Sequence, residues 1–173
     1  MKRIAAVILG LFIASTMSAF SAETKVVVSD MHICCKSCVA AIDKTLKDVK
    51  GVKYTVDQSK DSVTLMADDT ASAQAAVDAL AGAGFQGKSD NKDVAMKDNS
   101  GAPDGKVAKL EVSNIHNCCG KCTEAIDKAV KGVTGVKEST VKPKVNSFTV
   151  TGDFEAKALV KALNDAGFHV TVK

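Results

Sequence analysis

One cysteine cluster is written twice in this chain. His32-Ile33-Cys34-Cys35-Lys36-Ser37-Cys38 returns as His116-Asn117-Cys118-Cys119-Gly120-Lys121-Cys122, with each cysteine 84 positions after its counterpart. All six cysteines of the 173-residue chain belong to these clusters. The repetition extends further: Ala41-Ile42-Asp43-Lys44 matches Ala125-Ile126-Asp127-Lys128, Gly51-Val52 matches Gly135-Val136, and Ala83-Gly84-Phe85 matches Ala166-Gly167-Phe168. A repeat of this kind constrains the fold to two copies of one small unit.

Within each copy the hydrophobic period alternates. The β-branched runs Lys25 to Val28 and Val107 to Val112 read as strands. After each cysteine loop the spacing turns helical, with Cys38, Ile42, Leu46 and Val49 on one stripe and Cys122, Ile126, Ala129 and Val133 on the other. Gly51 and Gly135 fit just past the helix ends. Val52 to Val56 and Val63 to Met66 read as a strand pair around a polar turn, repeated as Val136 to Val141 and Phe148 to Thr151. Thr70 and Asp153 are the expected N-caps of second helices. Those helices face inward through Ala73, Ala76, Val77 and Leu80, and through Ala158, Leu159, Ala162 and Leu163. Closing strands are expected to begin at Phe85 and Phe168. The order β-α-β-β-α-β is that of a ferredoxin-like α+β domain, so the expected fold is two such domains in tandem joined by a flexible linker.

The boundaries follow from composition. Residues 1–22 carry basic Lys2-Arg3, an apolar run from Ile4 to Ala14, and small residues at Ser18, Ala19, Ser21 and Ala22. This is the pattern of a cleaved export signal, and the apolar run is too short to span a bilayer. The first domain is expected over 23–87 and the second over 106–173. Residues 88–105 between them are polar, charged and broken by Gly101, Pro103 and Gly105, as a flexible linker would be. The mature chain is expected to be periplasmic or secreted and not membrane-spanning. Its formal charge is +3, of which Lys2 and Arg3 account for two. So even a surface argues against a nucleic-acid partner.

The chemistry sits between the first strand and first helix of each copy. Cys35 and Cys38 stand i, i+3, as do Cys119 and Cys122, so two sulfurs can converge on one ion. The positive end of the helix favours the thiolate that a metal requires. The pair alone suits Cu(I) or Hg(II). Adding Cys34 or His32, and Cys118 or His116, gives three- or four-coordinate binding that Zn(II) also accepts. Export favours disulfides, but thiols one, three or four residues apart close no long loop worth bridging. Cys34 and Cys118 fit either ligation or packing; His32 and His116 fit either ligation or a solvated loop. Met31 reads as packing, since its counterpart is Ile115.

These features resemble the heavy-metal-associated domain family, which includes copper chaperones, repeats of copper-exporting ATPases and the periplasmic mercury-binding protein. The resemblance covers both copies, and its C-x-x-C motif matches Cys35-Lys36-Ser37-Cys38 and Cys119-Gly120-Lys121-Cys122. It implies metal ligation by Cys35, Cys38, Cys119 and Cys122, with Phe85 and Phe168 near the metal loops. The family's Met two residues before the motif is missing, and Cys34, Cys118, His32 and His116 are additions to the usual pattern. The expected function is therefore an exported, non-enzymatic carrier or buffer of soft metal ions, Cu(I) foremost, which can pass its ion to a membrane metal transporter. The competing readings are a periplasmic thiol–disulfide oxidoreductase and a redox-switched metal binder using the same C-x-x-C pairs. The chain's length between the clusters permits two separate sites or one shared one.

Overall fold

The computed structural model describes residues 23–173; the expected export segment lies outside the described residues. The described residues form two antiparallel sheets, four α-helices and a short 3-10 turn at Gln58–Lys60. In the first half, β1 (Thr24–Ser29), α1 (Lys36–Leu46), β2 (Val52–Asp57), β3 (Ser62–Ala67), α2 (Thr70–Gly82) and β4 (Lys88–Ser89) follow in order. In the second half, β5 (Lys106–Ser113), α3 (Gly120–Lys131), β6 (Val136–Ser139), β7 (Phe148–Glu155), α4 (Ala156–Asp165) and β8 (Thr171–Val172) repeat it. The sheets run β2-β3-β1-β4 and β6-β7-β5-β8, with every pairing antiparallel. Among the described residues no helix is long and apolar enough to cross a membrane.

The apolar stripes land where their periods require, with local shifts. Cys38, Ile42 and Leu46 are fully buried, as are Ala73, Ala76, Val77 and Leu80. In α3 the third inward position is Val130 and not Ala129, because a β-branched side chain gains more from burial than a methyl does. In α4 the buried set is Ala156, Leu159, Val160 and Leu163; Ala158 is exposed. The expected caps also move. Asp69, not Thr70, caps α2, accepting from the Ser72 N–H at 2.6 Å. Asp153 lies inside β7 and pairs with Lys106 at 2.9 Å, while Glu155 precedes α4. Gly51 and Gly135 do not end the helices. Both adopt positive φ at the start of the next strand, and a Cβ on Gly135 would collide with the Asp153 carbonyl.

The two halves meet over a seam that the repeat pattern did not reveal. Phe85 and Phe168 do not open the closing strands; they form an antiparallel bridge with each other, and β4 and β8 begin three residues later. Gly84, at φ +83, has its carbonyl between two N–H groups of the second half, His169 at 3.1 Å and His116 at 3.4 Å. A Cβ there would strike the backbone of Asn114, Ile115 and His116. Gly167, at φ +86, lies against the backbone of Met31 and His32 in the same way. Only glycine allows both the left-handed φ and this approach.

The segment 88–105 is tied to the halves at several points. Lys88–Ser89 is β4, Val94 is fully buried, and the Ser100 carbonyl accepts from the Val172 N–H at 2.8 Å. His169, 3% exposed, joins all three parts: Nδ1 lies 2.8 Å from the Gln86 side-chain amide and Nε2 lies 2.7 Å from that of Asn99. An amide presents either its oxygen or its NH2, so a neutral ring satisfies both. The polar composition of 88–105 suggests a loose tether because few apolar residues anchor it, Val94 buried and Met96 and Ala102 packed against the core, while hydrogen bonds hold the rest.

Two outcomes follow. Gly84→Ala is expected to lower the unfolding free energy by about 1–3 kcal/mol, whereas Gly82→Ala, with open space around it, raises it by about 0.4–1 kcal/mol; urea midpoints measure both. Burial holds the His169 imidazolium below its ordinary range despite the attraction of Asp98. Stability from the neutral ring is therefore complete above about pH 6.5. It falls as the pH drops below that, because the unfolded chain takes up a proton that the buried ring resists. Urea unfolding across that range is expected to show the loss, and His169→Gln to lessen its slope.

Candidate metal centre

The loops that carry the cysteines are turned and braced before they reach the helices. Asp30 and Asn114, matched across the repeat, both adopt left-handed backbone at φ 57 just after β1 and β5, a conformation short Asx side chains tolerate. In the first half Asp61 holds the loop: its carbonyl accepts from Met31 N–H at 3.0 Å and its carboxylate from Ile33 N–H at 3.3 Å. In the second half buried Asn117 donates to the carbonyls of Lys142 at 2.8 Å and Val145 at 3.1 Å, and accepts from Thr123 at 2.8 Å. Cys35 and Cys119 are the N-cap residues of α1 and α3, and Cys38 and Cys122 lie one turn on, fully buried. Cys34, Cys35, Cys118 and Cys119 are half-buried, so these thiols are not displayed on an open edge as their loop position suggested. The other half covers them.

All six cysteines are free thiols, and their sulfurs converge at the seam. Within the halves, Cys35–Cys38 is 3.7 Å, Cys34–Cys38 3.8 Å, Cys118–Cys122 3.7 Å and Cys119–Cys122 3.8 Å. Between the halves, Cys34 lies 3.6 Å from both Cys119 and Cys122, Cys38 lies 3.6 Å from Cys118, and Cys35 lies 3.7 Å from Cys118 and 3.8 Å from Cys119. The cross-half separations are as short as the internal ones, so no boundary divides one site from the other. The ligand groups mix the halves. Cys38 joins Cys118, Cys122 and His116, a Cys3His set; His32 joins Cys34 and Cys122; Cys34 and Cys35 join Cys119.

The histidines are held by the opposite half. His32 packs tilted on Phe168 with ring centroids 4.6 Å apart, and His116 stacks on Phe85 at 4.2 Å. Each leaves its Nε2 buried without a hydrogen-bond partner, a cost of about 1–3 kcal/mol that a bound ion would relieve. Met31 and Ile115 are buried packing residues, each 2% exposed. A surface groove lined by Ala83, Asn114, His116, Asn117 and Cys118 reaches one side of the cluster.

Crowding splits the thiol acidities. Burial raises the Cys34 thiol, helped by contacts with Cys122 and Cys119, and pushes Cys118 up to about 12. The Cys38–Cys122 contact works in opposite directions on its partners, raising Cys38 and lowering Cys122. Burial also pushes Cys35 up, but the backbone N–H groups of Cys38 and Ser37 and the Cys118 thiol outweigh it and hold it down to about 6. The helix start thus favours a partly exposed Cys35 thiolate, and the Cys34, Cys38 and Cys118 thiols around it keep their protons.

Sequence reading located all eight candidate ligands but not their convergence. The pairing of each histidine with the opposite phenylalanine was also missed. The available signal was Ala-Gly-Phe in both copies, with a glycine positioned for backbone contact.

Residues 109–169 match the family model of the heavy-metal-associated domain. That match points to heavy-metal binding by this part of the chain, and the cysteine groups have the geometry to hold an ion. No curated protein sequence gives a significant match. Among solved structures, the N-terminal soluble domains of Bacillus subtilis CopA align at 18% identity over 88% of this chain and 95% of theirs, with a TM-score of 0.31. The first two RRM domains of yeast poly(U) binding protein Pub1 align at 11% identity over 87% and 98%, with a TM-score of 0.25.

In the reduced, metal-free chain, iodoacetamide labelling of Cys35 is expected to speed up about ten-fold between about pH 5 and about pH 7, following its lowered pKa. Peptide mass spectrometry reads the site.

Proposed function

We propose that the chain is an exported, non-catalytic carrier or buffer of soft metal ions, built from two heavy-metal-associated domains in tandem. Residues 1–22 act as its cleaved export signal and Cu(I) is its foremost cargo. The observation that carries this reading is the convergence of six free sulfurs with two buried, unpartnered histidine nitrogens. Soft thiolates select Cu(I), Hg(II) and Zn(II) over hard cations, and the lowered pKa of Cys35 supplies an anion to capture the ion. The second domain rests on the family match over 109–169. The first rests on its repeated motif and its identical strand order. Ligand exchange through the groove beside Cys118 would serve delivery to a membrane transporter.

Anaerobic titration of the reduced protein with Cu(I), Zn(II) and Hg(II) against competing chelators tests the reading. Tight binding is expected, with a loss of about ten-fold or more in affinity for Cys35→Ser with Cys119→Ser. His32→Ala is expected to weaken Zn(II) more than Cu(I). Insulin-reductase activity without tight metal binding would replace the carrier with a dithiol oxidoreductase.

A further inference from the structure

We propose that the two cysteine loops form one polynuclear Cu(I)–thiolate centre with shared, bridging sulfurs, in place of two mononuclear sites. The inference rests on the soft-metal reading above and adds the nuclearity of its cargo. Sulfur–sulfur contacts of 3.6–3.8 Å join the six thiols as two triangles, Cys34–Cys119–Cys122 and Cys35–Cys38–Cys118, linked by Cys34–Cys38, Cys35–Cys119 and Cys118–Cys122, so each triangle mixes the halves. The ligand groups share members: Cys34 and Cys122 each belong to two of them. A sulfur that belongs to two ligand sets can serve both only by bridging, and thiolate bridges Cu(I) readily.

The count follows from coordination chemistry. Three-coordinate ions bound to six sulfurs, each bridging two ions, number about four per chain. On binding, each cysteine gives up its S–H proton to solvent and forms bonds to two ions, with no change of oxidation state. Six thiolates then exceed four monovalent cations, leaving the centre anionic. The N-terminal ends of α1 and α3, both opening at the cluster, oppose that charge. The rings of His32 and His116 lie against the sulfurs, with buried Nε2 atoms that nothing else uses. They close the centre from water.

Anaerobic loading of the reduced mature chain with Cu(I), followed by native mass spectrometry, emission spectroscopy and copper X-ray absorption, tests the proposal. The expected result is cooperative uptake to about four ions per chain, the long-lived visible emission of water-excluded Cu(I)–thiolate clusters, and short Cu–Cu scattering. Cys118→Ser, in the second half, is expected to cut the stoichiometry of the whole chain and reduce the emission several-fold. Cys34→Ser should do the same from the first half, and far-UV circular dichroism confirms that both fold. Uptake of two ions per chain without Cu–Cu scattering, with Cys118→Ser leaving the ion on Cys35 and Cys38 untouched, would overturn the shared centre and leave the carrier reading standing. Absence of any tight Cu(I) binding would remove both.

Discussion

Close backbone contact at Gly84 and Gly167 is the constraint on which the rest of the structure depends. Each glycine takes a left-handed φ and lies where a Cβ would meet the backbone of the opposite cysteine loop. That approach lets Phe85 and Phe168 bridge, places each ring against the opposite histidine, and sets the loops face to face. The phenylalanines are 1% exposed, so the seam gains hydrophobic stabilisation that the polar loops alone would not provide. Without the seam, each loop would lie at the solvent-facing edge of its own sheet.

Bringing six thiols together has an electrostatic consequence. Protonated, they are weakly polar and tolerate burial much as small hydrophobes do. Ionised together, they would repel strongly at separations of 3.6–3.8 Å. The opposite directions of the Cys38 and Cys122 shifts express that conflict. A cation resolves it, since it replaces the protons and draws the sulfurs toward a common charge. The buried histidine nitrogens add to the same pressure. The centre is thus preorganised for a soft cation.

The repeat made much of this legible. Matched strands, amphipathic helices and both cysteine loops could be placed from periodicity, because each half buries its own stripe against its own sheet. Errors arose where neighbouring choices differ little in energy. Val130 displaces Ala129, and Ala156 and Val160 displace Ala158 and Ala162, because these helices carry apolar residues at adjoining positions and a small rotation exchanges one set for another. Asp69 caps α2 because its carboxylate reaches the Ser72 N–H, which Thr70, already in the helix, cannot do. The export segment 1–22 remains an expectation from composition.

What periodicity could not supply was the relation between the halves, because it depends on long-range contacts with no period. Val94, Asn99 and Ser100 sit in a stretch whose composition reads as solvated, yet they dock it through buried Val94 and Ser100 and a few hydrogen bonds. Gly84 and Gly167 read equally well as helix-terminal glycines, which need the same positive φ. Their second role becomes visible only when the opposite backbone is seen to occupy the space a side chain would take. A duplicated motif that reads as self-sufficient in sequence is here brought against its copy, and the residues that decide the contact are the small ones permitting it, not the cysteines themselves.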